Sequence, residues 1–176
     1  MIYLQVILSL CKVIWIKVFN WSRIKIDPIQ QLGKGFSIQI GKRGKVSIGR
    51  GLKSRRNCSL ICDAGTLEIG KNVFLNQNVM ITCEQAIKIG NGVTIANNVV
   101  IVDHDHDYSG TTGGFVSDCV SIGENTWIGA NAVILKGTSI GKECVVAAGT
   151  VVRKGIYPDC SLIFDERVNK CLQRRR

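Results

Sequence analysis

The chain has 176 residues, 45% of them hydrophobic, with 19 glycines, 2 prolines and a formal net charge of +10. That is enough for one domain with a sizeable core, and the composition excludes a disordered polymer. The charge is uneven: residues 1–60 carry twelve Lys/Arg against Asp27 alone, residues 61–166 six against twelve acids, and residues 167–176 five against none. Basic ends favour a phosphate-bearing partner, whether nucleic acid, anionic lipid or a phosphorylated small molecule, over a merely solvated positive face.

The first twenty residues, MIYLQVILSLCKVIWIKVFN, are polar only at Gln5, Ser9, Lys12, Lys17 and Asn20. At 100° per residue these five fall in one arc of about 140°, which predicts an amphipathic helix with a wide apolar face. Lys12 and Lys17 argue against a simple transmembrane span. Two readings remain: residues 1–26 lie on a membrane surface with Trp15 and Trp21 as anchors, or the helix packs on the domain or a partner subunit. The 8 cysteines form no CxxC pair and no signal-peptide cleavage pattern is clear. They read as free thiols in a reducing cytoplasm, and their spacing does not suit structural zinc.

From Ile122 onward the chain keeps a six-residue clock: Ile122, Ile128, Ile134, Ile140, Val146 and Val152 recur without a slip. Upstream, Ile69, Leu75 and Ile81, then Ile89, Ile95 and Ile101, follow the same period. A helix would recur at 3.6 residues, and the turns of a sandwich at 8–12. A period of six means short strands ended by tight corners that accept Gly or Asn, with one branched aliphatic per strand pointing inward. Three such strands close a triangular coil, and stacked coils bury a continuous aliphatic column. The clock stops once, between Asp103 and Cys119. That segment should protrude as a loop, and a loop interrupting a rigid scaffold is where function concentrates. The chain's only histidines, His104 and His106, stand at its base.

These repeats resemble the hexapeptide-repeat acyltransferases, most nearly the maltose/galactoside O-acetyltransferase branch and its polysaccharide O-acetyltransferase relatives, over about residues 36–158. The resemblance implies an all-β solenoid, a left-handed parallel β-helix, assembled as a homotrimer with active sites between subunits. It divides the chain into a helical lead-in at 1–26, a β-helix domain at 27–158 and a basic tail at 159–176.

A divalent metal held by His104, His106 and the alternating aspartates is one chemistry for the loop. A bland polar loop is another. A general base is the third: moving an acetyl group from a thioester to a hydroxyl requires a proton acceptor, and neutral imidazole suits that near pH 7. The resemblance favours the third. Laid without gaps, the family run puts its catalytic histidine on His106, and a two-residue shift selects His104. Asp103 and Asp105 are candidate orienters and acceptor contacts.

The resemblance also implies an acceptor-side role for Asn76 in FLNQN, whose alternative is a corner asparagine with a left-handed backbone. Trp127 would line the substrate tunnel near the thioester. Gly129, Ala130, Ala147, Ala148 and Gly149 would let the pantetheine arm of acetyl-CoA lie against the backbone, with Lys136, Arg153 and Lys154 near its phosphates. The family's acid after the asparagine is missing before Glu84, and so is its GNPA-like ending.

The expectation is therefore an acetyl-CoA-dependent O-acyltransferase acting on a saccharide, free or lipid-linked, in surface polysaccharide biosynthesis, with no metal and no nucleic-acid partner. It would be cytoplasmic or peripheral at the inner face of the plasma membrane. N-acetylation of an amino sugar, serine O-acetylation, a non-catalytic scaffold and a metal-binding γ-carbonic-anhydrase relative are the alternatives.

Overall fold

The computed structural model describes residues 2–108, 110 and 113–165, with side chains from Leu8 onward. The basic stretch 167–176 and Cys171 lie outside the described residues. Helix α1 (Ile2–Asn20) is followed by short strands that stack in parallel on three faces. Seven strands form face A, from Ile24–Ile26 to Gly155–Tyr157. Six form face B, from Lys53–Ser54 to Leu162–Ile163, and six form face C, from Ser37–Ile40 to Val151–Val152. The chain visits A, B and C in turn, so each coil lies directly on the last: Ile69 pairs with Ile89, Leu75 with Ile95, Ile81 with Ile101. This parallel solenoid is the expected β-helix class.

The residues of the clock make the core. Ile122, Ile128, Ile134, Ile140, Val146 and Val152 are all buried, as are Leu75, Ile81, Ile95 and Ile101 below them. Each contributes about 1.5–3 kcal/mol by leaving water. The corners follow the predicted chemistry. Asn57, Asn72, Asn78, Asn98, Asn125 and Asn131 all sit at φ near +57°, where Asn is tolerated better than other side chains.

The solenoid is longer than the sequence division at 27 and 158. Ile24–Ile26 already pairs with Val46–Ile48, and Leu162–Ile163 still pairs with Val145–Val146, because a strand joins the stack wherever a neighbouring coil leaves amides to satisfy. Helix α1 crosses the open end of the first coil, with Val13 in the core. Its contact with the solenoid combines apolar Val13 and Ile16 with polar Ser9 and Lys12. Ser9 is buried and its hydroxyl accepts from the Leu32 amide at 2.9 Å, and Lys12 Nζ donates to the Gly33 carbonyl at 3.0 Å. Among the described residues, no helix is long and apolar enough to cross a membrane.

Candidate active site

The chain leaves face C at Val102 and re-enters face A at Val120. In between, His104–His106 pairs antiparallel with Phe115–Ser117, His104 opposite Ser117 and His106 opposite Phe115. The protruding loop is thus a hairpin, closed at its base by the Asp118 amide donating to the Asp103 carbonyl at 2.8 Å. Strand alternation puts His104 and His106 on one side. Both rings pack against Phe115, at centroid distances of 4.7 and 4.8 Å. Asp105 points the other way and pairs with Lys136 Nζ at 3.1 Å, and the same ammonium donates to the Val116 carbonyl at 3.2 Å.

Asp103 decides the geometry of this base. It is 0% exposed, so it has no surface to offer a substrate, and the expected acceptor contact is replaced by a different role. Its Oδ1 accepts from the Glu84 amide at 2.8 Å, and its Oδ2 from the amides of Gln85 and Ala86 at 2.8 Å each. The fourth acceptor position takes His104 Nδ1 at 3.0 Å. A carboxylate has about four acceptor sites and no donor, so Nδ1 carries a hydrogen, which in a neutral ring leaves the lone pair on Nε2. His104 is mostly buried (12% exposed side chain), whereas His106 is exposed. Among the described residues, no hydrogen-bond partner fixes the His106 ring. Of the two histidines, His104 is the one whose ring is held by a carboxylate; His106, which the gapless alignment favours, stands beside it on the exposed side of the hairpin.

A groove of about 580 Å³ opens beside the hairpin, lined by Arg43, Gly65, Glu84, Gln85, Phe115 and Ser117. Among the described residues, no cluster of three or more His, Cys, Asp or Glu side chains is arranged to hold a metal ion. The alternating Asp/His run is split by the pleat and by Asp103 turning inward.

The bases assigned to coenzyme phosphates sit on this same C/A edge, and each has an acid partner. Lys136 is held by Asp105, Arg153 faces Asp165 at 3.9 Å, and Lys154 bonds Asp118 at 2.7 Å. The Lys154 ammonium holds the Asp118 carboxyl below its usual range, and Asp118 in turn raises Lys154. Of the buried thiols, burial pushes Cys58 up, and contact with Cys62 together with burial pushes Cys83 up, so neither is a ready nucleophile.

The remaining predicted residues gather elsewhere, on face B and at the B/C edge. Trp127 projects from face B between Thr94 and Val145, 52% exposed. Asn76 begins the B/C corner of its coil. Its Oδ1 accepts from the Gln77 amide at 2.9 Å, and the positive-φ residue of that corner is Asn78, so Asn76 is not the corner asparagine. Ala130, Ala147 and Ala148 line the same edge two and three coils on. Gly129 is different. A Cβ there would lie 2.7 Å from the Ala148 amide nitrogen and 2.7 Å from the Val146 carbonyl oxygen. Its smallness lets coils stack and does not make a bed for a ligand. Gly149 supplies the turn itself, at φ +71°.

A family profile described as "Hexapeptide repeat of succinyl-transferase" matches residues 67–102 and 119–154, the two stretches that flank the hairpin. WbbJ of Escherichia coli K12, named as a lipopolysaccharide biosynthesis O-acetyl transferase, is 32% identical over 143 residues, 73% of this chain and 71% of WbbJ. The chain belongs to the hexapeptide-repeat acyltransferase family. The galactoside O-acetyltransferase of E. coli K12 is 36% identical over 96 residues, 53% of this chain and 47% of that relative, so the chain spans about half its length. It spans a similar share, 45%, of a Mycobacterium tuberculosis protein named as an acetyltransferase. AntD, an N-acyltransferase from Bacillus cereus solved with dTDP-4-amino-4,6-dideoxyglucose and coenzyme A, aligns with a TM-score of 0.67 over 93% of this chain and 89% of its own, at 20% identity. That likeness is one of fold.

As a hexapeptide-repeat acyltransferase, the chain presents its predicted site residues as two groups, with face C between them. One edge unites His104, His106, Asp103, Asp105 and Lys136; the other carries Asn76, Trp127, Ala130, Ala147 and Ala148. Sequence reasoning missed Arg43, Gln85 and Phe115. Phe115 had a readable cue, being the one aromatic inside the break that alternation sets opposite a histidine. Arg43 and Gln85 lie about 60 and 20 residues before the hairpin, and only coil stacking brings them to it.

Proposed function

We propose that the chain transfers an acetyl group from acetyl-CoA to a hydroxyl of a saccharide, with His104 as general base. The observation that carries this reading is the Asp103–His104 pair at the hairpin base, 3.0 Å apart and beside the groove. Nε2 of His104 takes the proton of the acceptor hydroxyl. The oxygen attacks the thioester carbonyl, a C–O bond forms, and a backbone amide at a small-residue corner stabilises the oxyanion. The C–S bond then breaks, and the imidazolium returns its proton to the leaving thiolate. Asp103 stays an acceptor throughout and holds the ring in one tautomer. His106 stands next to the base and shapes the acceptor side with Phe115.

The working unit is a homotrimer in which the hairpin of one copy faces Trp127 and the B/C edge of the next. Support comes from the separation, within a single chain, of His104 on the C/A edge from Trp127 and the small-residue corners of the B/C edge that are expected to hold the pantetheine arm. Relatives named for galactoside and lipopolysaccharide O-acetylation support a surface-polysaccharide acceptor.

The test is to incubate the chain with acetyl-CoA and a panel of oligosaccharides, amino sugars and serine, following released thiol. Turnover with a hydroxyl acceptor that disappears in His104→Ala supports the reading. Turnover confined to an amine acceptor or to serine, or surviving in the His104→Ala/His106→Ala double variant, overturns it.

A further inference from the structure

Helix α1 is turned the opposite way from an ordinary amphipathic helix on a globular domain. Ser9 and Lys12 face the protein together with Val13 and Ile16, Lys17 stands at the margin, and the rest of the described apolar face looks out. Leu8, Ile14, Trp15, Val18 and Phe19 are each more than half exposed, Trp15 and Phe19 meet edge to face at 4.7 Å, and Trp21 just beyond the helix is 82% exposed. Inward, Ser9 and Lys12 bond the backbone at Leu32 and Gly33 on the B/C edge. At the other end, Arg23 donates to the carbonyls of Ile40 and Gly41 on the C/A edge, at 3.1 and 3.0 Å. The helix is thus anchored at two edges across the end of the stack, and its bare face looks along the solenoid axis, away from the coils.

Cations border this face. Lys17 and Lys25 line, with Trp21, a groove of about 550 Å³. Asp27, the one acid in that lining, already accepts from the Ile29 amide at 2.9 Å. It is also the one acid among residues 1–60, against twelve Lys/Arg.

We propose that this end of the solenoid docks on an anionic lipid bilayer, with Trp15, Val18 and Phe19 in the acyl boundary and Lys17 and Lys25 on lipid phosphates. The apolar area alone would suit a second copy equally well, and charge decides between them. A second copy brings the same lysines face to face, whereas an anionic surface brings opposite charge to every one. The helix lies in the interface and does not span it, in keeping with its length and its lysines. A bilayer across the end of the stack would leave His104 three strand spacings, about 15 Å, from the first coil, on the side away from the lipid. The proposal stands independently of the acetyl-transfer reading.

The experiment is co-sedimentation of the full chain with vesicles of phosphatidylglycerol and phosphatidylcholine, beside vesicles of phosphatidylcholine alone, at low and high salt. The expected result is binding to the anionic vesicles that weakens with salt. It should fall about fivefold for each of Lys17→Gln and Lys25→Gln, and more than tenfold for Trp15→Ser/Phe19→Ser. These side chains are exposed or flank the solenoid contact, and circular dichroism and an unchanged melting temperature check that the variants fold. In a Trp127→Phe background, the emission of Trp15 and Trp21 should shift blue on anionic vesicles. Equal, salt-insensitive binding to both vesicle types overturns the anionic assignment. Failure to bind either vesicle overturns docking on lipid altogether. If Trp15→Ser/Phe19→Ser then lowers the oligomeric mass in light scattering, the face is covered by a second copy.

Discussion

Face C is bounded by two edges that solve the same backbone problem with different chemistry. At the B/C edge each coil turns on Asn or Gly in one register, and the side-chain amides of Asn57, Asn78, Asn98 and Asn131 bond one to the next at 3.0–3.4 Å. At the C/A edge the corner amides of residues 84–86 are capped instead by a single buried carboxylate, Asp103. A carboxamide ladder spends one donor and one acceptor of each side chain on its neighbours in the stack. The carboxylate fills three acceptor positions with the corner and keeps a fourth for an imidazole. The stabilising residue at the C/A edge therefore also orients the proposed base, while at the B/C edge the ladder asparagines are separate from the residues proposed to meet the coenzyme.

The sharpest way to break this contrast is at the hairpin. His104→Ala should lower kcat by about 10²–10⁴, with the KM for acetyl-CoA unchanged, while His106→Ala costs less than about tenfold. Steady-state kinetics of the two variants would show the reverse order if the exposed ring were the base.

Asp103→Asn tests the shared role. An amide group would face backbone donors at a fully buried position, so unfolding free energy should drop by about 2–4 kcal/mol in denaturant titration. kcat should fall about tenfold or more in the protein that remains folded, because the ring loses its tautomer. At the other edge, Asn98→Ala forces alanine to φ near +58° and breaks the ladder. It should cost about 1–2 kcal/mol and leave kcat alone. Trp127→Ala should do the converse, leaving the melting temperature in place and raising the KM for acetyl-CoA several-fold, since the side chain stands half exposed on face B.

The smallest effect belongs to the Lys154–Asp118 pair on the surface. Asp118 is held below its ordinary range, so the pair's contribution is present above that range and lost as pH falls through the lowered value. Both groups are open to water. Lys154→Met should therefore shift the acid end of the stability curve barely at all, and a clear shift would show the pair to be more than a surface contact.

The coil was legible because its code is local. One aliphatic every six residues specifies a short strand with an inward face, and Asn or Gly at the turn specifies the corner, so the column from Ile69 to Val152 could be drawn before any coordinates. The break at 103–119 was legible for the same reason, as the place where the local code stops. The histidine order was not. Two residues apart on one strand, His104 and His106 share a side, and spacing separates them only through a gapless alignment that puts His106 first. Their difference lies in a carboxylate whose other partners, the amides of Glu84 to Ala86, are a full coil earlier. For Lys136 and Lys154 the sequence shows the cations and not the acids beside them. The acids they meet, Asp105 and Asp118, come from the hairpin.

The N-terminal helix marks the boundary most clearly. Sequence alone determined its amphipathic character, since a 140° polar arc is a property of spacing. Which side faces the protein was decided by the tertiary structure. The open end of the first coil presents the Leu32 amide and the Gly33 carbonyl, and these polar groups drew Ser9 and Lys12 inward and turned Trp15 and Phe19 out. Periodicity fixes what a segment can bury; the unsatisfied backbone of its neighbour fixes what it does bury.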